Sequence, residues 1–309
     1  MLDNRYFEQY KSLEFIVKQL VEGIMTGLHK SPFHGFSVEF AEDVPYNNGE
    51  SIRNIDWKLY ARTDKLFVKR YEEETNLRAC ILLDHSSSMY YPPDFDPTIE
   101  HPNKMFFSIY VAACLSYLLH LQRDAVGLAL FSDKLDLYTP IRSSYEHLKY
   151  LYTEYEKLIV NFSLKDKKRS NVAQCIHLAA EKTHKRSLFI VISDMFDNYA
   201  NDDEEMFSAL QHLKYNKNEV IIFNVLDDKD ETLLDFPDKP TRFIDMETNE
   251  ELKINPRAVR KEYVAFQQQR KKEIRQRCMQ YGIDFEDVDI NSGFSAAMLA
   301  FLYKRRRMM

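Results

Sequence analysis

The chain has 309 residues, 45% of them hydrophobic and 29% charged, and its formal net charge is −6. This composition is ordinary for a soluble globular protein. The acidic balance argues against a dedicated nucleic-acid binder, which needs a basic face. Only 7 glycines are present, and they form neither the P-loop nor the dinucleotide-binding pattern. If ATP enters the biology of this chain, we expect a partner protein to bring it.

The first 75 residues are predicted to form two small units. Apolar residues recur at three- and four-residue steps near the start of the chain, which predicts an amphipathic N-terminal helix within residues 1–30. Residues 31–75 change character, because the alternation in FSVEF and in KLFVKRY is typical of short strands joined by a turn-rich segment. We therefore expect an N-terminal helix at 1–30, a β-rich segment at 31–75 and one larger domain at 76–309.

From residue 77 onward, short apolar runs alternate with helical patterns. The run LRACILLD at 77–84 predicts a strand buried on both faces, residues 104–122 a helix, and residues 125–141 a hairpin that turns at Asp133 and Lys134. Further strands are expected at 187–194, 219–228 and 283–290, a hairpin at 241–254, and helices after a capping box at Ser143 and Glu146, from Asn171, and at 202–214, 257–281 and 294–305. Repeated strand–helix units predict an α/β fold with a doubly wound, mostly parallel sheet.

The cysteines and the most apolar stretches of the chain indicate the cellular compartment in which we expect the protein. No two cysteines form a C-x-x-C pair, so we expect buried free thiols in a reducing compartment. These cysteines are Cys80, Cys114, Cys175 and Cys278. The stretch from Met1 to Tyr10 lacks a signal-peptide pattern, and the apolar run at 105–121 is predicted to be a buried helix rather than a membrane span. We therefore expect a cytoplasmic protein.

Acidic residues and serines follow two strands of the predicted sheet. Asp84 ends one strand and opens a D-x-S-x-S pattern with Ser86 and Ser88, and Asp194 ends another strand. Alternate residues of an extended loop point to one side, and ligands bind at the carboxyl ends of parallel strands. The loop before the helix at Asn171 adds the hydroxyl of Ser170. Oxygen ligands of this kind predict a Mg²⁺ or Mn²⁺ site.

Simpler explanations compete with a metal site. Serines after a strand often only cap the next helix, and other strands also end on acids. Asp133 is expected at the hairpin tip, while Asp227 and Asp228 are expected in a solvated loop. The histidines are scattered without zinc-binding spacing, so zinc is not predicted.

Two groups of residues resemble known families. DHSSSM at 84–89, Ser170 and the Ser-Asp pair at 193–194 are similar to the metal-ion-dependent adhesion site of von Willebrand factor A domains. GESIRNIDWKLYAR and the later run VIIFNVLDDKDETLLDF resemble the DUF58 family, and the likeness extends over most of the chain. The resemblance implies a von Willebrand factor A-like domain. Its metal ligands would be Asp84, Ser86, Ser88, Ser170 and Asp194.

The resemblance also implies a function. Von Willebrand factor A domains bind partners through an acidic residue that the partner donates to the metal, and DUF58 proteins look like bacterial companions of MoxR-type AAA+ ATPases. We therefore expect a non-enzymatic, metal-dependent adaptor that partners such an ATPase, or a client protein that donates an Asp or Glu. Its expected role is the assembly or maturation of other proteins, without nucleic acid or a membrane span.

Three features depart from the family pattern or stand apart from the site. The family usually has a threonine in the third loop, where this chain has Arg169-Ser170-Asn171, so either Ser170 or Asn171 can supply the ligand. The proline-rich loop at 90–104 lies beside the expected metal and either shields it or shapes a docking surface. The DUF58 signature segment contains Arg53, Asp56, Trp57 and Arg62. We expect these four residues to form a buried, structural ion-pair network rather than a binding site.

Two other functions are compatible with the same residues. A Mg²⁺-dependent hydrolase would use the cation to activate water and would need a general base, for which His85 is the candidate. The alternation along the loop turns His85 and Ser87 away from the side shared by Asp84 and the other two serines. The third possibility is a site that binds no metal and serves only the architecture.

Overall fold

The computed structural model describes residues 12–29, 43–45, 57–69, 77–93, 97–160, 167–195 and 202–308. The helices are Leu13–His29 (α1), Trp57–Thr63 (α2), Lys104–Leu121 (α3), Tyr145–Val160 (α4), Val172–Lys182 (α5), Asp202–Tyr215 (α6), Pro256–Gln280 (α7) and Phe294–Met308 (α8). The strands are Asp43–Pro45 (β1), Phe67–Lys69 (β2), Arg78–Asp84 (β3), Ala125–Phe131 (β4), Leu135–Tyr138 (β5), Leu188–Ser193 (β6), Glu219–Leu226 (β7), Thr241–Ile244 (β8), Glu251–Ile254 (β9) and Asp284–Asp289 (β10).

A mostly parallel sheet forms the centre of the molecule, as the sequence predicts. Its order is β10-β7-β6-β3-β4-β5, and only the edge strand β5 runs antiparallel to its neighbour. Strand β3 lies between β4 and β6, so both of its edges are hydrogen-bonded. Because strands β3 and β6 are parallel neighbours, their carboxyl ends meet at the same edge of the sheet.

Helices cover both faces of this sheet, which explains the continuous apolar runs in the strands. Ile81 and Leu83 of β3 belong to one core cluster, which includes residues of α1, α3, α4 and α8. Cys80 and Leu82 belong to a second cluster, which includes residues of α5, α6 and α7. Successive side chains of a strand point to opposite faces, so β3 contributes to both cores. The α/β class is therefore confirmed. All four cysteines are buried and free, as expected.

Helix α3 is long and apolar enough to cross a membrane, but it packs inside the fold. Of its residues, 83% are buried, among them Phe107, Val111 and Leu115. Its N-terminus is capped by Asn103, whose side chain accepts a hydrogen bond from the backbone N–H of Phe106 at 2.7 Å. The cap fixes the start of the helix at Lys104, next to the carboxyl edge of the sheet.

The segment before β3 differs from the prediction. Strand β2 lies within KLFVKRY, where a strand is expected, and it pairs antiparallel with β1. Residues 57–63 form a helix instead of continuing the β-rich pattern. The FSVEF strand at 36–40 lies outside the described residues. The tetrad WKLY has the apolar spacing of a short helix as well as that of a strand, so periodicity alone does not separate the two.

Two local predictions after β3 are wrong. Helix α4 is capped by Ser144 rather than by Ser143, because the backbone N–H of His147 donates to Ser144 Oγ at 3.3 Å. Two successive serines make the position of a cap ambiguous by one residue. Asp227 is not solvated but buried, and it accepts hydrogen bonds from the backbone N–H of Asp230 and from Asn291.

Candidate metal centre

The loop after β3 folds back on the carboxylate that begins it. Asp84 is fully buried, and its Oδ1 accepts a hydrogen bond from the backbone N–H of Ser86 at 2.9 Å. This short turn brings the next hydroxyls together, so that Ser86 Oγ and Ser88 Oγ are 3.1 Å apart. Asp84, Ser86 and Ser88 thus lie on one side of the loop, as the alternation predicts.

The two intervening residues point elsewhere and fasten the loop. His85 Nε2 lies 2.7 Å from Asp136 Oδ2, on the side of the edge strand β5. Ser87 and Lys168 exchange two hydrogen bonds of 2.9 Å, one from the Ser87 N–H to the Lys168 carbonyl and one from the Lys168 N–H to Ser87 Oγ. Burial lowers the pKa of His85, and the nearby charge of Lys168 lowers it further. The contacts of His85 are therefore directed away from Asp84.

The third loop supplies Ser170 to the site, not Asn171. Ser170 Oγ donates to Asp84 Oδ2 at 3.0 Å. The Asn171 side chain instead caps helix α5, where its Oδ1 accepts from the backbone N–H of Gln174 at 3.1 Å. The bonds between Ser87 and Lys168 place this loop beside the first one. The two candidates for the third-loop ligand are thus separated by geometry.

The end of β6 brings the second acid to the same place. Asp194 is 4% exposed, and the residue before it, Ser193, donates through Oγ to Asp84 Oδ2 at 2.8 Å. Burial raises the pKa of Asp84 to about 6, and the charge of Asp194 contributes to this rise. The structure therefore brings the five sequence-predicted ligand residues together at the carboxyl edge of the sheet.

Lys104 is a functional candidate that sequence reasoning missed. Its side chain is buried, and its Nζ donates to Asp194 Oδ2 at 2.8 Å and to Glu231 Oε1 at 2.5 Å. Burial alone would lower the pKa of Lys104, but the carboxylates of Asp194 and Glu231 outweigh it and raise the pKa. A lysine at the first position of a helix gives no sequence signal of such a role. Only the fold shows that α3 begins beside Asp194.

Glu247 is a second residue that the sequence did not single out. It lies in the turn between β8 and β9, is 7% exposed, and accepts a hydrogen bond through Oε2 from the backbone N–H of Ser170 at 3.3 Å. Burial, the charge of Asp194 and, to a lesser degree, that of Asp84 raise the pKa of Glu247 to about 7. The nearby Ser88 side chain acts in the opposite direction and lowers the pKa of the Glu247 carboxyl group.

These residues fit a hard divalent cation. The groups around Asp84 are carboxylate and hydroxyl oxygens, which Mg²⁺ and Mn²⁺ prefer. In the described part of the chain, no three His, Cys, Asp or Glu side chains converge as metal ligands, so a site here depends on its hydroxyls. The carboxyl groups of Asp194 and Glu231 both bind the ammonium of Lys104, and the charge of Asp194 also acts on Asp84 and Glu247. Buried charges in proteins are paired with an opposite charge or coordinate a metal.

A cleft of about 590 Å³ opens beside the cluster. Its floor includes Ser88, Asp194 and Glu231, and one wall is the β8–β9 hairpin. The loop at 90–104 contributes Tyr91, whose hydroxyl donates to Asp230 Oδ2 at 2.6 Å. The described part of that loop thus shapes the cleft.

Of the four signature residues, those that the structure describes are exposed, whereas a buried ion-pair network was expected there. Trp57 is 59% exposed on α2 and makes an edge contact with Tyr60, with ring centroids 6.1 Å apart. Arg62 is also exposed on the same helix. Arg53 and Asp56 lie outside the described residues. The expected burial therefore does not hold for Trp57 and Arg62, since α2 turns them toward solvent.

Comparisons with known sequences connect the chain to proteins without an assigned function. The family model described as "Protein of unknown function DUF58" matches residues 42–273. Uncharacterized proteins of Mycobacterium bovis and Mycobacterium tuberculosis are each 22% identical over 297 residues, which cover 96% of this chain and 89% of theirs. The family match includes both the signature segment and the loop that begins at Asp84.

Solved structures give weaker likenesses. The conserved hypothetical protein BatB from Bacteroides thetaiotaomicron is 16% identical, with a TM-score of 0.45, over 74% of this chain and 99% of that chain. An aerotolerance-related membrane protein from Bacteroides fragilis is 16% identical, with a TM-score of 0.44 and the same coverage. Neither superposition is close enough to establish a shared fold.

Proposed function

The chain belongs to the DUF58 family of proteins of unknown function, and we propose that it is a non-enzymatic adaptor that binds a partner protein through a divalent cation. In this proposal the α/β domain is von Willebrand factor A-like, and the cluster at Asp84 is its adhesion site. The bound metal would be Mg²⁺ or Mn²⁺. The residues that would hold it are Asp84, Ser86, Ser88, Ser170 and Asp194.

One observation carries the proposal. Three segments of the chain converge on one buried carboxylate: the backbone N–H of Ser86 donates to Asp84 at 2.9 Å, and the hydroxyls of Ser170 and Ser193 donate to it at 3.0 Å and 2.8 Å. Asp194 follows Ser193 directly. A structural cap would need only one of these contacts. An Asp, several hydroxyls and a second Asp at the end of central strands supply the oxygen ligands that a hard cation prefers.

The chemistry of this set suggests how a partner binds. Two carboxylates and a few neutral hydroxyls leave a divalent cation short of anionic oxygen, so a bound metal would attract an Asp or Glu side chain of another protein. The cleft beside Ser88 and Asp194 gives such a side chain a route. The chain's own residues therefore hold and orient the cation, and the partner completes its coordination.

The proposed partner is a MoxR-type AAA+ ATPase, a client protein or both. This assignment comes from the resemblance to DUF58 proteins, not from the site. It agrees with the lack of a glycine-rich nucleotide loop in the sequence. In this proposal the adaptor acts in the cytoplasm, where the ATPase supplies the energy and the adaptor supplies recognition.

A pull-down tests this function. The immobilised full-length chain is mixed with a MoxR-type ATPase of the same organism, in Mg²⁺ or in chelator. We expect recovery in Mg²⁺, loss in chelator, and loss for Asp84→Ala even with Mg²⁺. Asp133→Ala is the matched control, since Asp133 is exposed at the tip of the neighbouring hairpin. Equal recovery by Asp84→Ala and the wild type would reject metal-mediated docking.

A purely architectural cluster is the second candidate, and Lys104 favours it. The buried ammonium at 2.8 Å from Asp194 already neutralises part of the negative charge. In that case the cluster is a closed ion network that holds α3 against the sheet and needs no metal. Calorimetry with Mg²⁺ and Mn²⁺ separates the two candidates, because a closed network binds neither ion.

The hydrolase remains a weaker proposal. It would need a general base near the cation, and the contacts of His85 with Asp136 and Lys168 offer none there. Metal-dependent turnover of a phosphoester, lost in His85→Ala, would restore it.

A further inference from the structure

The β8–β9 hairpin is a separate unit that faces the candidate metal centre. Within the described residues, its strands pair with each other in a two-stranded sheet that shares no strand with the central sheet. Residues of the hairpin line the cleft opposite Ser88, Asp194 and Glu231. Such a unit can shift without breaking the central sheet, since no ladder hydrogen bond joins the two.

The hairpin turn is built to present one side chain. Asp245 Oδ1 accepts from the backbone N–H groups of Glu247 at 2.7 Å and Thr248 at 2.9 Å. Asn249 has a φ of 65°, the left-handed conformation that asparagine tolerates well. The turn is therefore held in shape by its own hydrogen bonds. The side chain that it buries is Glu247.

Glu247 reaches the two loops that hold the predicted ligands. Its Oε2 accepts from the backbone N–H of Ser170 at 3.3 Å, and Ser88 of the first loop lines the same cleft as Glu247. Lys167, in the same loop as Ser170, donates to the side-chain oxygen of Asn249. The turn is thus docked on the rim of the site, with its carboxyl group among the hydroxyls.

This placement has an electrostatic cost, because the ammonium of Lys104 already binds Asp194 and Glu231. A third acid beside Asp84 and Asp194 adds like charge to a buried cluster, which disfavours the folded state. The exposed acids of the same turn, such as Glu250, avoid this cost. A buried acid at such a position is expected to interact with a positive charge. In the same way, backbone strain that persists at a site indicates a function there.

We propose that Glu247 is an internal carboxylate ligand of the site, held where the Asp or Glu of a partner would bind. The hairpin then acts as a removable plug, and docking requires that Glu247 leave. This inference rests on the proposed function, because it assumes that the cluster binds a divalent cation. It assigns to this chain the anionic ligand that the adaptor proposal leaves to the partner.

The test uses Mn²⁺ and the full-length chain in three forms: wild type, Glu247→Gln and the matched control Glu250→Gln. Glu250 lies in the same turn and lines the same cleft, but it is exposed. Calorimetry measures Mn²⁺ affinity, and water-proton relaxation reports how many exchanging waters the bound Mn²⁺ keeps. Far-ultraviolet circular dichroism verifies that each variant is folded.

We expect Glu247→Gln to bind Mn²⁺ about tenfold more weakly, the loss of one charge-assisted contact, and to show higher relaxivity from an added water. Acetate, as a free carboxylate, should lower that relaxivity in Glu247→Gln and leave the wild type unchanged. Glu250→Gln should match the wild type throughout. If Glu247→Gln binds Mn²⁺ with the affinity and relaxivity of the wild type, the inference about Glu247 is overturned, but the proposed function is not. A wild type that binds no Mn²⁺ would overturn the proposed function as well.

Discussion

Replacing Asp84 with asparagine should stabilise the metal-free protein while it removes the response to metal. Burial and the charge of Asp194 raise the pKa of Asp84 from its ordinary 3.8 to about 6. A difference of about two pH units corresponds to about 3 kcal/mol of unfavourable free energy for the charged form above that pKa. Asparagine has a similar shape and no charge, so it removes this penalty.

Part of that gain is lost again. Asp84 accepts from the Ser86 N–H, from Ser170 and from Ser193, and an amide cannot accept from all of them. One lost hydrogen bond costs about 1 kcal/mol. We therefore expect Asp84→Asn to raise the free energy of unfolding of the chelator-treated protein by about 1–2 kcal/mol near pH 8.

The effect of Asp84→Asn on the free energy of unfolding should depend on pH. The pKa of Asp84 is higher in the folded protein than in the unfolded chain, so the folded protein binds more protons between these two values. Wild-type stability should therefore fall as the pH rises through about 4 to 6 and stay lower above it. The advantage of Asp84→Asn should be largest near pH 8 and should shrink as the pH approaches 4.

Urea unfolding in chelator and in Mg²⁺ provides the assay. With Mg²⁺ at about a hundredfold excess over its dissociation constant, the wild type should gain about 2.7 kcal/mol and Asp84→Asn nothing. Asp124→Asn is the control, since Asp124 is equally buried but accepts from the Leu77 N–H at the other end of the sheet. It should lose stability and keep the Mg²⁺ response. A loss of more than about 2 kcal/mol in chelator for Asp84→Asn would refute the reasoning, because Asp84 would then be a structural acceptor.

Further variants separate ligand roles from structural ones. Ser170→Ala should weaken Mn²⁺ binding about tenfold in calorimetry. Asn171→Ala should lower the free energy of unfolding by about 1 kcal/mol, because it removes a helix cap, and should leave the Mn²⁺ affinity unchanged. The reverse pattern would assign the third-loop ligand to Asn171. Lys104→Met should lower the free energy of unfolding by about 3–5 kcal/mol in chelator, because buried carboxylates lose their cation. Mg²⁺ should restore part of the lost stability. An unchanged free energy of unfolding would show that Lys104 is not needed to balance the charge of Asp194. His85→Gln should leave Mn²⁺ affinity within about twofold of the wild type, and a larger loss would place His85 at the metal.

The order of the strands and helices was predictable because it depends on local patterns. Continuous apolar runs such as the one ending at Asp84 require two covered faces, and helical periodicity marks the segments between them. The common side of Asp84, Ser86 and Ser88 in the D-x-S-x-S loop was also predictable, although Ser87–Tyr90 form a short 3-10 helix and not the extended backbone that the alternation argument assumes. The helix at residues 57–63 was not anticipated within the β-rich segment expected at 31–75.

The rest of the cluster depends on contacts that no local pattern encodes. Lys104 begins a helix, Glu231 lies in a short helical turn and Glu247 in a hairpin, and only the packing of these elements brings them to Asp194 and Asp84. The sequence alone could not separate Ser170 from its neighbour Asn171 as the third-loop residue. The structure separates them, because it shows that Asn171 caps α5.

A titration of Mn²⁺ into the chelator-treated full-length protein, followed by calorimetry, tests the central claim most directly. The account predicts one ion bound per chain by the wild type, and no binding by a variant in which Asp84 and Asp194 are both changed to asparagine. A wild-type chain that is folded and takes up no Mn²⁺ would contradict it, and the cluster would then be a closed ion network built around Lys104.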